Sequence, residues 1–289
     1  METPETRYVK TVDGVSIAYQ VLGAGSPSIV FAPSAWASNV EIVWDWPVTA
    51  PVYGGLAARG TVVVFDRRGT GLSDKVSGER LPTLDAKMDD IRAVTDAVGF
   101  DRAVLYGQED GAAACLLFAA TYPERTQAVI TAGATASGLP SQDRPWAWTD
   151  EQWDDEIRSV DETWGTRAYA VGLTQEIFPS RLTDDAFINQ YSRVLRHSMS
   201  RADAIAACRI WRDTDVRGVL PLVQAPTLVM HYSQDQDEPV DEGRYIADRI
   251  PGAVFAELPG VDRGYGDFSA IDPFLVRCAN PNDSQRPIR

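Results

Sequence analysis

Four short, unbroken apolar runs constrain this chain more than any other feature: Ser28-Ile29-Val30-Phe31-Ala32, Thr61-Val62-Val63-Val64-Phe65, Ala103-Val104-Leu105-Tyr106 and Ala128-Val129-Ile130-Thr131-Ala132. Runs this short without polar alternation read as parallel strands buried on both faces. Helical stretches lie between them. Leu84 to Val98 puts Leu84, Met88, Ile91, Val94 and Val98 on one face and meets a stop signal at Gly99. Upstream, Tyr8 to Thr11 and Val15 to Val21 alternate around Asp13-Gly14, a hairpin signal. The chain is therefore expected to be α/β, with a mostly parallel central sheet flanked by helices and an antiparallel edge.

From Pro140 to about Gly218 the pattern becomes helical, charged and rich in tryptophan, including Trp146, Trp148, Trp153 and Trp164. This segment is expected to be an inserted helical cap, residues 140–218. Residues 1–139 and 219–279 would then form the core, because Pro226 to His231 and Ala253 to Leu258 restore the strand pattern around a helix over Val240 to Ile250. The polar stretch 280–289, with two prolines, reads as a flexible tail.

Composition removes several classes of function. A net charge of −14 repels nucleic acid and anionic lipid, whose phosphates are bound by clustered Lys and Arg. No apolar stretch reaches the ~20 residues of a membrane span and the first residues lack a signal-peptide pattern, so a cytoplasmic location is expected. Cys115, Cys208 and Cys278 are widely spaced, which argues against a disulfide framework or zinc site. Asp235, Asp237 and Glu238 lack the spacing of a calcium loop. No nicotinamide, flavin or metal fingerprint is present, so no cofactor is expected. The oligomeric state is open, a homodimer among the options.

The chemistry centres on Gly107-Gln108-Glu109-Asp110-Gly111, between an apolar run and a helix-like run from Ala112 to Ala120. Such a strand-to-helix turn projects its middle residue into a site, while flanking glycines keep the turn clear. The middle residue is a glutamate. It can shuttle protons or attack an electrophilic carbon, but it cannot form a serine acyl-enzyme.

The order of hairpin, alternating strands and helices, elbow, cap and closing strands resembles the α/β-hydrolase superfamily. Phe65-Asp66-Arg67-Arg68-Gly69-Thr70-Gly71-Leu72-Ser73-Asp74, Asp89 to Val94, Leu117 to Arg125 and Trp164-Gly165-Thr166 are most similar to its members associated with nucleotide cyclase domains. The resemblance runs from about residue 7 to residue 276 and implies a Ser-His-Asp triad at three places. The elbow, which usually carries Ser-Glu-Gly-Gly, reads Glu109-Asp110-Gly111-Ala112. The acid position, within Tyr232 to Val240, holds Asp235. The histidine position, after Leu258-Pro259-Gly260-Val261-Asp262, holds Arg263. Only His197 and His231 exist, and neither matches it. Loss of nucleophile and base costs roughly a millionfold in serine-hydrolase turnover.

These residues leave three readings. Glu109, with Asp235 and Arg263, performs acid/base work such as cyclisation, dehydration, isomerisation or epoxide opening. Glu109 is instead a nucleophile, as the aspartate is in epoxide hydrolases and haloalkane dehalogenases. Or the chain is a degenerate hydrolase that binds without catalysis. Ser34 and the amides of Ala35 and Asp110 match the oxyanion-hole positions. Trp36 and Trp146, with other tryptophans, imply a bulky, apolar small-molecule substrate, with His197 and Tyr265 as further contacts and Tyr169, Tyr191 and Tyr265 as proton donors. His231 is expected to be structural.

Overall fold

A computed structural model of the chain describes residues 4–75, 82–264 and 266–279. Tyr265 and the segment 280–289, expected as a ligand contact and a tail, lie outside the described residues. Eight strands form one sheet: β1 (Arg7–Lys10), β2 (Ser16–Leu22), β3 (Ser28–Ala32), β4 (Thr61–Phe65), β5 (Ala103–Gln108), β6 (Thr126–Ala132), β7 (Thr227–Tyr232) and β8 (Val254–Leu258). Their order is β1-β2-β4-β3-β5-β6-β7-β8. The β1–β2 and β2–β4 pairs are antiparallel, and every later pairing is parallel. The α/β expectation and the antiparallel edge both hold.

The unbroken apolar runs follow from burial on both faces. Ile29, Phe31, Val62, Val64, Val104 and Tyr106 enter one core cluster, whereas Val30, Ala32, Val63, Phe65, Ala103 and Leu105 enter the other. Successive side chains of a strand point to opposite faces, so a strand covered twice has no position left for polar residues. Helices α2 (Leu84–Ala97), α3 (Gly111–Thr121) and α8 (Val240–Arg249) cover one face with Ile91, Val94, Leu116 and Ile246. On the other face lie α1 (Thr49–Ala57) and α9 (Phe268–Ala279), contributing Leu56, Tyr53, Ile271 and Phe274.

Between β6 and β7 the chain builds α4 (Asp150–Thr163), α5 (Arg167–Ile177), α6 (Asp185–Ser198) and α7 (Arg201–Asp213). Thr149, Thr166, Asp184 and Ser200 cap the four N-termini with side-chain oxygens, and Thr149 and Gln152 complete a capping box. Entry and exit are stapled together. Ser137 bridges Asp215, Gly138 N–H donates to Thr214 O at 3.0 Å, and Val216 N–H donates to Ala136 O at 2.8 Å. α4 packs on α7 and α5 on α6, and their buried Trp153, Val160, Phe187 and Leu195 continue the core cluster of α1 and α9.

Candidate functional site

The turn from β5 into α3 sets the centre of the site. Glu109 has φ 48°, the left-handed region, and is the sole non-glycine with positive φ among the described residues. The flanking glycines have specific causes: a Cβ on Gly107 would lie 2.4 Å from Ala112 Cα, and one on Gly111 would lie 2.5 Å from Ala32 O. Only glycine lets α3 start this close to β3 and β5. The bend is held by Glu109 N–H donating to Ala132 O at 3.0 Å and Ala112 N–H donating to Glu109 O at 3.1 Å. A strained conformation in a non-glycine residue is kept where the surroundings over-determine it, commonly at functional sites.

Glu109 is buried, and Arg263 faces it from the loop after β8. Arg263 Nη1 donates to Glu109 Oε1 at 3.1 Å. Its Nε and Nη2 hold the two oxygens of Asp235 at 2.5 and 2.7 Å, and Nη2 also donates to Asp237 Oδ2 at 2.9 Å. One guanidinium, 1% exposed, thus joins three carboxylates. The predicted trio of Glu109, Asp235 and Arg263 is one cluster.

The two aspartates respond differently. Burial pushes Asp235 upward, but the charge and hydrogen bonds of Arg263 outweigh it and hold the carboxyl below its usual range. Backbone N–H groups of Asp237 and Glu238 donate to the same Asp235 oxygen at 3.1 and 3.0 Å. Asp237 is raised, first by burial and then, against Arg263, by Asp235 and Glu109. The arginine loop is fastened to the cap by Arg263 N–H donating to Ile177 O at 3.0 Å, and by Ser180 N–H donating to Asp262 Oδ1 at 3.0 Å.

Glu109 fronts a pocket of about 40 Å³ beneath the cap, room for about three water molecules. Trp36, Trp148, Trp153 and Trp211 wall it, Leu173 and Ile177 complete the apolar surface, and Glu156, Glu176, Asp237 and Glu238 add carboxylates. A neighbouring hollow of about 440 Å³ shares Trp148, Glu156, Glu176 and Asp237 and adds Asp155. On its other side Glu109 borders a smaller space of about 20 Å³ with Ser34, Trp46 and Tyr191. Glu176 is pushed up to about 7, by burial first and then by Asp237 and Glu156. Burial likewise raises Glu156, against a 2.6 Å hydrogen bond from Tyr169 Oη. Glu238 is raised well above the carboxylate range by burial, Asp237 and Glu242.

Several sequence-predicted contacts lie elsewhere. Trp146 turns away from the pocket: its Nε1 donates to Glu242 Oε2 at 2.7 Å and its ring meets Tyr245 edge-on at 6.3 Å. A buried carboxylate, already paired with Arg144, captured the indole N–H. His197 is exposed near the end of α6, and its carbonyl accepts from Asn39. The Asp110 carboxylate is turned to internal partners. Its Oδ1 accepts from Ala35 N–H at 3.1 Å, and its Oδ2 pairs with Arg67 at 2.6 Å and Lys87 at 3.8 Å. The Ala35 amide expected to face a ligand is therefore engaged internally. Burial pushes Asp110 up, but Arg67 and Lys87 hold it below its usual range. Tyr169 supports the wall instead of standing free, since its hydroxyl accepts from Trp36 Nε1 at 3.3 Å.

Two structural assignments fit the geometry. His231, 0% exposed, meets Glu238 O at 2.7 Å through Nε2. Asp66 accepts Val40 and Leu72 N–H at 2.9 and 2.8 Å, and Ser73 donates to Asp66 O at 2.6 Å, so the Phe65 to Asp74 run is a backbone-bonded turn. Sequence reasoning missed Glu156, Glu176, Trp211 and Asp237 as pocket residues. A signal existed on the cap helices. Glu176 shares a helical face with Leu173, and Glu156 shares one with Trp153 and Val160.

Residues 55–272 match the family model described as the alpha/beta hydrolase fold. The chain is 23% identical over 267 residues to a bifunctional esterase/perhydrolase of Acinetobacter calcoaceticus, covering 89% of this chain and 92% of that protein. It is 24% identical over 246 residues to 3-oxoadipate enol-lactonase 1 of Acinetobacter baylyi, covering 82% of each. Among solved structures, a hydrolase from Pseudomonas aeruginosa PA01 superposes with a TM-score of 0.78 at 25% identity, covering 96% of this chain and 98% of that one. Sheet order, elbow, helical insertion and sequence match agree, and this chain belongs to the α/β-hydrolase-fold family.

Proposed function

We propose that this chain is an α/β-hydrolase-family enzyme that has exchanged serine chemistry for acid/base catalysis by Glu109 on a small organic molecule under the cap. The observation that carries this reading is Glu109 itself. A carboxylate stands at φ 48° on the elbow apex, bordering the pocket and paired with Arg263. In this reading Glu109 takes the nucleophile position and Arg263 the histidine position of relatives. No hydroxyl is then present at the apex to accept an acyl group, and no imidazole is there to activate water.

Glu109 gives or receives a proton at the ligand, and Arg263, fixed by Asp235, holds its carboxylate in one orientation. Glu176 lines the same pocket and changes charge near neutrality, so it supplies or collects the complementary proton. Cyclisation, dehydration, isomerisation and epoxide opening all need this much and no acyl-enzyme. The pocket as it stands is small, so a bulky substrate places its reacting end at Glu109 and its body in the outer hollow.

Ligand binding without turnover is the second reading, favoured by the engagement of Arg263 with three carboxylates. Both readings predict no hydrolysis of p-nitrophenyl esters above background. They part on a substrate panel followed by mass spectrometry. Acid/base catalysis gives wild-type turnover that Glu109→Gln lowers by about 10²–10⁴. Binding without turnover by wild type supports the second reading. An ester trapped on Glu109 would indicate covalent catalysis instead.

A further inference from the structure

We propose that the pocket in front of Glu109 receives an organic cation, a primary ammonium carried on an apolar or aromatic frame. This rests on the reading of that pocket as the ligand site, and adds the charge and shape of what enters it.

Charge comes first. Glu109, Glu156, Glu176, Asp237 and Glu238 line the pocket, Asp155 lines the neighbouring hollow, and none of the described lining residues is basic. The nearby Arg263 already serves Glu109, Asp235 and Asp237. Glu238 adds an acid whose burial favours its neutral form until a cation stands beside it. It is only 9% exposed and lines the pocket, and Thr135 Oγ1 donates to its Oε1 at 3.0 Å, yet no Lys or Arg pairs with it among the described residues. A buried carboxylate without a countercharge keeps its proton or takes a cation. An anionic ligand would add to the repulsion, and a neutral apolar one would desolvate the acids without compensation.

The walls give the second, independent argument. Trp36 meets Trp211 at 5.5 Å and 70°, Trp148 meets Trp153 at 4.9 Å, and Trp153 meets Trp211 at 6.0 Å. Tryptophan faces attract cations and pack apolar frames, so aromatic walls around an acidic floor suit one molecule with both parts. The head group follows from the donors it can offer. The inner space admits –NH₃⁺, whose three donors suit the carboxylates that line it. The outer hollow then holds the frame beside Trp148. The chain's net charge of −14 adds long-range attraction for a cation.

Isothermal titration calorimetry on the whole protein at pH 8 tests this with phenethylamine, the neutral 2-phenylethanol and the anionic phenylacetate. Phenethylamine is expected to bind at least about tenfold more tightly than the alcohol, and phenylacetate not at all. Its affinity should fall from pH 8 to pH 6 as Glu176, facing Asp237, Glu156 and Arg263, takes up its proton. Glu176→Gln should weaken the amine about tenfold and so narrow its preference over the alcohol. Equal binding of amine and alcohol, binding of phenylacetate, or no amine binding by about 10 mM would overturn the proposal. So would an unchanged amine affinity in Glu176→Gln. Binding is read without turnover, so loss of the amine preference sinks this inference, whereas full turnover by Glu109→Gln sinks the catalytic reading.

Discussion

At the scale of single residues, Arg263 is the pivot of the molecule. Its guanidinium is 1% exposed and binds Glu109, Asp235 and Asp237. Removing one partner of a buried ion pair typically costs about 3–5 kcal/mol, because the remaining charge is left uncompensated. Arg263→Met leaves three such groups and should destabilise the protein by at least that order, read as a lower urea midpoint. Lysine is no substitute, since an ammonium cannot reproduce the fork that grips both oxygens of Asp235. The carboxylates should rank in order of their environments. Asp235 receives two bonds from Arg263 and two from backbone amides, and is held below its usual range. Asp237 receives one bond and is raised by burial and its acidic neighbours. Asp235→Asn should therefore cost clearly more stability than Asp237→Asn, and the reverse order would contradict this account.

At the scale of elements, the junction of β5 and α3 shows why some of the site was legible in the sequence and some was not. Its glycines sit two residues either side of Glu109, and the close contacts at Ala112 and Ala32 depend on them. Gly107→Ala drives a Cβ against backbone with no flexible side chain to yield, and overpacking of this kind costs about 1–3 kcal/mol. Denaturation of that variant should show the loss, and displacement of Glu109 should reduce turnover further. Local chemistry of this sort is written in adjacent residues, as is the periodicity that placed the doubly covered strands. The engagement of the Ala35 amide is not legible in the sequence, because Asp110 reaches Ala35 across 75 residues. Trp146 was misjudged for the same reason, its partner Glu242 lying 96 residues away. Polar satisfaction decides where a buried side chain turns, and those partners are tertiary. The acidic lining was missed differently. Glu156, half-buried, and Glu176, exposed at the pocket rim, occupy helix positions that a charge count treats as solvent-facing, and only the docking of α4 and α5 brings them to the pocket lining.

At the scale of the whole molecule, the carboxylates couple folding to pH. Asp66, buried beneath the turn after β4, is pushed up to about 7 by burial, against the amides of Leu72 and Val40. Glu176 also rises to about 7, and Glu156, Asp237 and Glu238 move the same way. A carboxyl raised in the folded state binds its proton more tightly there than in the unfolded chain. Stability therefore falls as pH climbs from the unfolded carboxyl range, about 4, to about 7. Asp235 and Asp110 have the opposite sign: their contribution is present above the unfolded value and is lost as pH drops through their depressed folded values. Lys87, lowered to about 8 by burial and then by Arg67, contributes a rise in stability only above that value. Between about pH 4 and pH 7 the raised carboxyls dominate, and Asp66 alone can supply on the order of a few kcal/mol. The melting temperature should be higher at pH 5.5 than at pH 8, by several degrees for a chain of this length. Glu176→Gln should flatten part of that slope. A melting temperature that instead rises from pH 5.5 to pH 8 would mean that these acids are ionised at no cost in the folded protein, through partners other than those described.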